Sequence, residues 1–373
     1  MSHAYVIGVG VTKFGRHPDV TVESLAADAV LAALADAEVQ WKDVQQFYAA
    51  HVNQGVAAGQ RVVKELGPSG LPVLNVENCS AAGSTALREA SLAVRSGEMD
   101  LVVVAGFEKM QHGVLLNVHP EDSPEVTVGM TVLPMRFSLM GMDHTNKYGT
   151  TPEQFAKVAV KNHDHAVHNP KAQYPTPMSL EQVLGSRMIC DPITLYQCSP
   201  TTDGAAAVVV CSDNYLKRHG GSARAVRLVA SGLVSDIEEQ AFNRFSLELV
   251  GRNARAVYEK AGLGPEDLDV VETHDCFSVA ELLAYEELGL CARGEGGRLI
   301  DEGATRIGGR IPVNPSGGLL AKGHPLGATG LGQVGEIVTQ LRGEAGARQV
   351  DGARVGLTSN MGMWSSCIHV LAI

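Results

Sequence analysis

The chain has 373 residues, enough for two or three domains with large buried cores. Thirty basic against 41 acidic side chains leave a formal charge of −11, which repels polyphosphate and anionic membrane; no nucleic acid and no membrane is expected as a partner, and an anionic ligand must be held locally. No apolar run reaches the ~18 residues of a membrane helix. No basic-then-apolar leader opens the chain, and the seven cysteines, odd in number and without a C-x-x-C pair, read as free thiols of a cytoplasmic protein.

In chain order, β-branched runs predict strands over Tyr5 to Val9, Val73 to Val76, Leu101 to Ala105, Ala206 to Cys211, Ala225 to Ala230, Asp269 to Glu272, Val355 to Thr358 and Ile368 to Ala372. Helical patterns lie between them, which predicts layered βα units on a mainly parallel sheet. Val22, Leu25, Ala26, Ala29 and Ala33 recur at helical spacing after Thr21, a suitable N-cap; Leu87, Ala90 and Val94 do so after Cys79. The chain also resembles itself. Ala37, Val39, Asp43-Val44 and Phe47 match Ala261, Leu263, Asp267-Leu268 and Val271 at a constant offset of 224, and Cys79 with Gly83, Thr85 and Leu87 echoes His324 with Gly327, Thr329 and Leu331. Two fragments in the same order predict a duplicated α/β domain. The expected organisation is a first half of residues 1–117 and 190–222, an inserted loop domain at 118–189 holding Met130, Met135, Met140 and Met142, and a second half at 223–373. Insertions on rigid scaffolds commonly carry substrate contacts.

Two local signals carry little. On a helix, His163, His165 and His168 point near about 0°, 200° and 140°, so they do not converge as zinc ligands do; a solvated face is expected, and no metal site. Gly8-Val9-Gly10 has Lys13 where a dinucleotide fingerprint needs its third glycine, so a strand end and turn is expected there.

Three constellations carry chemistry. Asn78-Cys79-Ser80 follows a strand and opens a helix, which aims the positive helix end at the sulfur and favours a thiolate. Asn314-Pro315-Ser316-Gly317-Gly318, with Lys322-Gly323-His324-Pro325-Leu326-Gly327, places a histidine among glycines that let backbone approach a ligand. His274-Asp275-Cys276-Phe277 directly follows the strand ending near Thr273.

Together with I-C-D-P-x-T-L-Y-Q-C-S-P-T at 189 to 201 and G-H-P-L-G-A-T-G, these residues make the chain resemble the thiolase superfamily, and H-D-C-F resembles the sterol-carrier-protein-2 type. The resemblance implies an α/β thiolase fold, five layers αβαβα built from two similar halves plus an inserted loop domain. It implies Cys79 as nucleophile, His324 as its base, His274 as an oxyanion donor and Cys276 as the second reactive cysteine. The usual C-terminal C-x-G is replaced by Ser359-Asn360-Met361-Gly362; by motif alignment the backbone N–H groups of Cys79 and Asn360 would hold the tetrahedral oxyanion. Trp364 stands where relatives have a small residue, so it is expected either to wall the acyl pocket, near Ser316 and Gly317, or to pack between layers or against a partner subunit.

The activity so implied is CoA-dependent cleavage of a 3-oxoacyl-CoA, or the reverse Claisen condensation, through an acyl-cysteine. Acyl-CoA and CoA are the expected small-molecule partners, with coenzyme A a cosubstrate and no bound cofactor. Lys147, Lys157, Lys161 and Arg187 are possible cations for its phosphates. A homodimer or tetramer is expected. The alternatives are a retro-aldolase or an acyltransferase subunit that works with a small zinc-ribbon/OB-fold partner, and, of another class, an inactive lipid or acyl-CoA binding protein.

Overall fold

The computed structural model describes residues 3–111, 132–221, 223–237 and 247–373. Met130 and the expected boundary at 117/118 lie outside the described residues, as does residue 222 at the next one. Among the described residues there are eleven strands: β1 Ala4–Val11, β2 Gln46–Ala50, β3 Val73–Val76, β4 Leu101–Glu108, β5 Met188–Cys190, β6 Ile193–Thr194, β7 Gly204–Ser212, β8 Val226–Ser235, β9 Val270–Glu272, β10 Val355–Gly362 and β11 Ser365–Ala372. All but the small β5–β6 pair join in the order β3-β2-β4-β7-β1-β8-β11-β10-β9.

That order contains the duplication. The first half runs β3-β2-β4-β7-β1; the second runs Val313, β9, β10, β11, β8, where Val313 makes a single parallel bridge to Val271 in the place of β3. Phe47 pairs with Val73 and Val103, and Val271, at the offset of 224, pairs with Val313 and Leu357. In the sheet, among the described residues, the halves are joined by three pairs between β1 and β8. The expectation of a mainly parallel sheet is corrected. β2–β3, β2–β4 and β9–β10 are parallel, but β4–β7, β7–β1, β1–β8, β8–β11 and β11–β10 are antiparallel. The strands after the insertion and at the chain end return by routes that reverse direction, which strand-by-strand hydrophobicity does not register.

Helices complete the layers. Val22–Asp36, capped by the Thr21 hydroxyl accepting from Ser24 N–H, and Ala58–Leu66 cover the first half-sheet; Glu248–Ala261 and Ser278–Glu287 cover the second. Between the sheets lie Ala82–Ser96 and Thr329–Leu341, sharing one core with strands of both halves. The stack is therefore helix, sheet, helix, sheet, helix. The two central helices cross closely because Gly330 and Gly83 face each other's turns: a Cβ on Gly330 would lie 2.2 Å from Ser84 Oγ, and one on Gly83 2.8 Å from Gly327 O. The Gly8-Val9-Gly10 segment lies inside β1 and not at a turn; a Cβ at Gly8 or Gly10 would meet a carbonyl of the Val22–Asp36 helix at 2.2 Å.

The segment between β4 and β7 holds the helices Leu133–Tyr148, Pro152–Ala166 and Leu180–Leu184 and the β5–β6 hairpin. Pro152–Ala166 packs on the second half, against Ser278–Glu287, Gly296–Asp301 and the turn Gly318–Lys322. The solvated-face reading of its histidines is corrected. His163 and His165 are buried: His163 lies under the inserted segment's own loop, with Nδ1 3.1 Å from Thr176 O, and His165 under the second half, with Nδ1 3.0 Å from Asn314 O, while His168, beyond the helix end, is exposed as expected.

Candidate active site

Cys79 sits on the turn between β3 and the central helix Ala82–Ser96, with φ of +48°, a left-handed conformation that costs a non-glycine residue about 1 to 2 kcal/mol. Local bonds hold it there. Ala81 N–H donates to Asn78 O and Ala82 N–H to Cys79 O, both at 3.0 Å, while Asn78 Nδ2 donates to Thr85 Oγ1. The β10–β11 turn closes over this segment: Ser365 Oγ donates to Asn78 Oδ1 at 2.9 Å, and a Cβ on Gly362 would lie 2.4 Å from Asn78 O. The thiol is partly exposed. Its own N–H donates to the exposed Glu77 carboxylate at 2.6 Å, so the expected oxyanion donor is engaged in the free chain.

His324 lies in the loop that leads into the facing central helix, five residues before Thr329, the first residue of that helix. Thr329 Oγ1 donates to Pro325 O at 2.9 Å, leaving its lone pair for His324 Nδ1–H at 2.7 Å. Nε2 is then the unprotonated nitrogen, and it faces Ser80 Oγ at 3.2 Å, one residue from Cys79. Burial, with His274 and Lys322 nearby, holds the imidazole well below its usual range, so the ring is neutral. Its backbone N–H is fixed by Thr202 Oγ1 at 3.0 Å, and Gly327 N–H by the buried Glu108 carboxylate, also at 3.0 Å.

His274, after β9, meets the His324 ring edge-on at 5.0 Å between centroids. Asn360 Nδ2 approaches its Nδ1 at 3.2 Å and Gln333 Oε1 at 3.1 Å, which makes Nδ1 the acceptor and leaves the ring proton on Nε2. Burial lowers its pKa to about 3. Cys276 is buried two residues on, its carbonyl accepting from Ser199 N–H at 2.9 Å; burial and the adjacent Asp275 push its thiol well above the usual value, so it keeps its proton.

The structure thus brings together Cys79 through Ser80, His324, His274 and Asn360, with Cys276 beside His274. It does not bring Ser316 and Gly317 to a pocket, and that expectation is corrected. Ser316 is wholly buried, with its N–H and hydroxyl both given to Glu272, and a Cβ on Gly317 would strike Ala166 at 2.6 Å; both residues pack the loop onto the inserted helix. Trp364 is at the β10–β11 tip, 38% exposed, and its carbonyl accepts from Asp236 N–H, which rules out packing between layers. Lys161 cannot serve CoA, since it is fully buried and ion-paired to Glu281 at 2.6 Å; Lys147 and Lys157 are paired to Asp143 and Asp301. The side chains of Asn360, Gln333, Ser80 and Thr329 escaped sequence reading. Only Thr329, in the run after His324, had a usable signal. Among the described residues no group of three or more His, Cys, Asp or Glu is placed to hold a metal ion, and no helix is long and apolar enough to cross a membrane.

A fold of two matching halves whose central helices carry a cysteine and a histidine to one point defines a class of enzyme. Residues 4–214 match the thiolase N-terminal domain and residues 238–373 the thiolase C-terminal domain-like family, and the chain belongs to the thiolases. It is 42% identical to sterol carrier protein 2 of Rattus norvegicus over 392 aligned positions, covering 100% of this chain and 72% of that protein. It is also 42% identical to the acetyl-CoA acetyltransferase of Methanothermobacter thermautotrophicus, covering 97% of each chain. Among solved structures, that titled Ltp2-ChsH2(DUF35) aldolase superposes with a TM-score of 0.88 at 26% identity, covering 99% of this chain and 97% of that one.

Proposed function

We propose that the chain is a CoA-dependent thiolase acting on 3-oxoacyl-CoA through an acyl group on Cys79. The observation that carries this reading is the pair of neutral imidazoles 5.0 Å apart, one with a bare nitrogen toward the Cys79 segment and the other with an N–H to donate. In the thiolytic direction His324 takes the Cys79 proton and the sulfur adds to the 3-oxo carbon. The oxyanion displaces Glu77 from Cys79 N–H, with the backbone N–H of Asn360 as second donor; one such donor contributes ~3 to 4 kcal/mol in studied sites. The bond between carbons 2 and 3 then breaks, and its electron pair passes to the thioester oxygen as an enolate, which accepts from His274 Nε2–H and from the His324 proton. Cys276 protonates carbon 2, releasing acetyl-CoA or propionyl-CoA. Cys276, left as a thiolate, takes the proton of an incoming CoA thiol; the CoA sulfur takes the acyl group, and the expelled Cys79 sulfur recovers its proton from His324. Run backward, the steps form a carbon–carbon bond.

The resemblance to a structure titled an aldolase with a DUF35 component supports a second reading, retro-aldol cleavage with a small partner subunit. The two differ in covalent chemistry, since cleavage to an aldehyde or ketone needs no acyl-cysteine. Incubation with acetoacetyl-CoA and longer or branched 3-oxoacyl-CoA esters, with and without CoA, tests both. Loss of substrate dependent on CoA, with an acyl mass on Cys79, is expected; carbonyl product without CoA or adduct overturns the thiolase reading. Trp364 is proposed to wall the acyl pocket, so Trp364→Gly should shift preference among chain lengths. The edge strand β3, with Leu74 exposed, is proposed to pair with a second copy as a homodimer, which light scattering checks.

A further inference from the structure

Lys161, Asn162 and His165 of the inserted helix are turned inward, onto the loops that carry His274 and His324. Asn162 Nδ2 donates to Asp275 Oδ2 at 2.7 Å and to Glu281 Oε2 at 2.6 Å, while its own Oδ1 is buried without a partner. The side chain is therefore used only as a bridge between two carboxylates. Asp275, between His274 and Cys276, also accepts from Leu319 N–H at 2.7 Å and Leu320 N–H at 3.2 Å. These amides lie in the turn Gly318–Lys322, two residues before His324. The fit allows nothing larger than glycine, because a Cβ on Gly318 would lie 2.1 Å from Asp275 Oδ2. Glu281 is held in turn by Asn314 Nδ2 at 2.7 Å and Lys161 Nζ at 2.6 Å.

We propose that Asn162 and Asp275 are positioning residues: a clamp through which the inserted helix sets the His274–Cys276 loop against the turn leading to His324. The clamp serves the enolate half of the reaction and rests on the thiolase reading. His324 has independent holds on Thr329 and Thr202, but the His274–Cys276 loop hangs on Asp275, on Asn360 and on backbone bonds. Loosening the clamp therefore moves the enolate donor and Cys276 before it moves the base of Cys79.

The test separates the half-reactions in the full chain. Acylation is read as an acetyl mass on Cys79 after acetyl-CoA, and enolisation as deuterium uptake at the methyl carbon of acetyl-CoA in D2O. In Asp275→Asn and Asn162→Leu, deuterium uptake should fall about 10²-fold, the effect of misplacing a reacting group by about 1 Å, with kcat falling and KM unchanged. Acylation should stay within about threefold of wild type, since a group's loss is felt where it is held. Deuterium uptake at the wild-type rate in both variants overturns the proposal, as does equal loss of both half-reactions with a lowered unfolding temperature, which makes the network structural. A wild-type chain that does neither overturns the thiolase reading beneath it.

Discussion

Nδ2 of Asn360 lies 3.2 Å from Nδ1 of His274, and that amide decides which ring nitrogen carries the proton. Gln333 fixes the amide's orientation by accepting from the same nitrogen. Asn360→Asp replaces the donor with an acceptor, draws the proton to Nδ1 and leaves Nε2 without one. Thiolysis kcat should fall by about 10²- to 10³-fold, the loss seen on removing one oxyanion donor, with KM little changed. An unchanged kcat would show that His274 does not donate through Nε2.

Division of labour between the cysteines gives a second expectation. Cys276 is buried and protonated whereas Cys79 is partly exposed, next to Ser80, which faces the neutral His324 ring. Cys276→Ala should still take an acyl group onto Cys79 while thiolysis is lost, and Cys79→Ala should take none. Intact mass reads both. Failure of a folded Cys276→Ala to acylate would place Cys276 in the earlier step.

Glu77 accepts from the Cys79 N–H, and in the proposed mechanism it competes with the substrate oxyanion for that donor. Glu77→Ala removes a bond worth a net ~1 kcal/mol, so acylation of Cys79 should speed up by about fivefold. Stopped-flow acylation measures it. A slower rate would mean that the carboxylate orders the turn.

Acid stability follows from the buried imidazoles. Burial depresses His165 from its usual 6.5 to about 3, and the Nδ1–H bond to Asn314 O, with Nε2 accepting from Ile307 N–H, suits only the neutral ring. The unfolded chain binds this proton below pH 6.5 and the folded chain not until about 3, so stability declines as pH falls through that window, by up to ~1.4 kcal/mol per pH unit. Asp275 works in the opposite sense. Burial and Glu281 push it up to about 8 from 3.8, so its contribution declines as pH rises between those values. His165→Asn should flatten the acid limb, as read by urea unfolding at several pH values; an unaltered slope would show that another group governs it.

Much of this was legible in the residues alone. The strands β1, β3, β4, β7 and β8 carry β-branched runs, the offset of 224 recurs because two half-domains must each bury the same helix-to-strand joint, and His274 and His324, whose rings the structure sets edge to face, stand in short motifs of their own. The tertiary structure decided the rest. Strand direction depends on how distant segments return to the sheet, which no local pattern encodes. The protonation of His274 and His324 depends on Asn360 and Thr329 at hydrogen-bonding distance. His163 and His165 read as a solvated face, and Lys161 as a cation free for CoA phosphates, because sequence records polarity and not its cover. Packed under the second half and, at His163, under the loop that holds Thr176, these side chains found buried partners, because a desolvated polar atom left unpaired is costly.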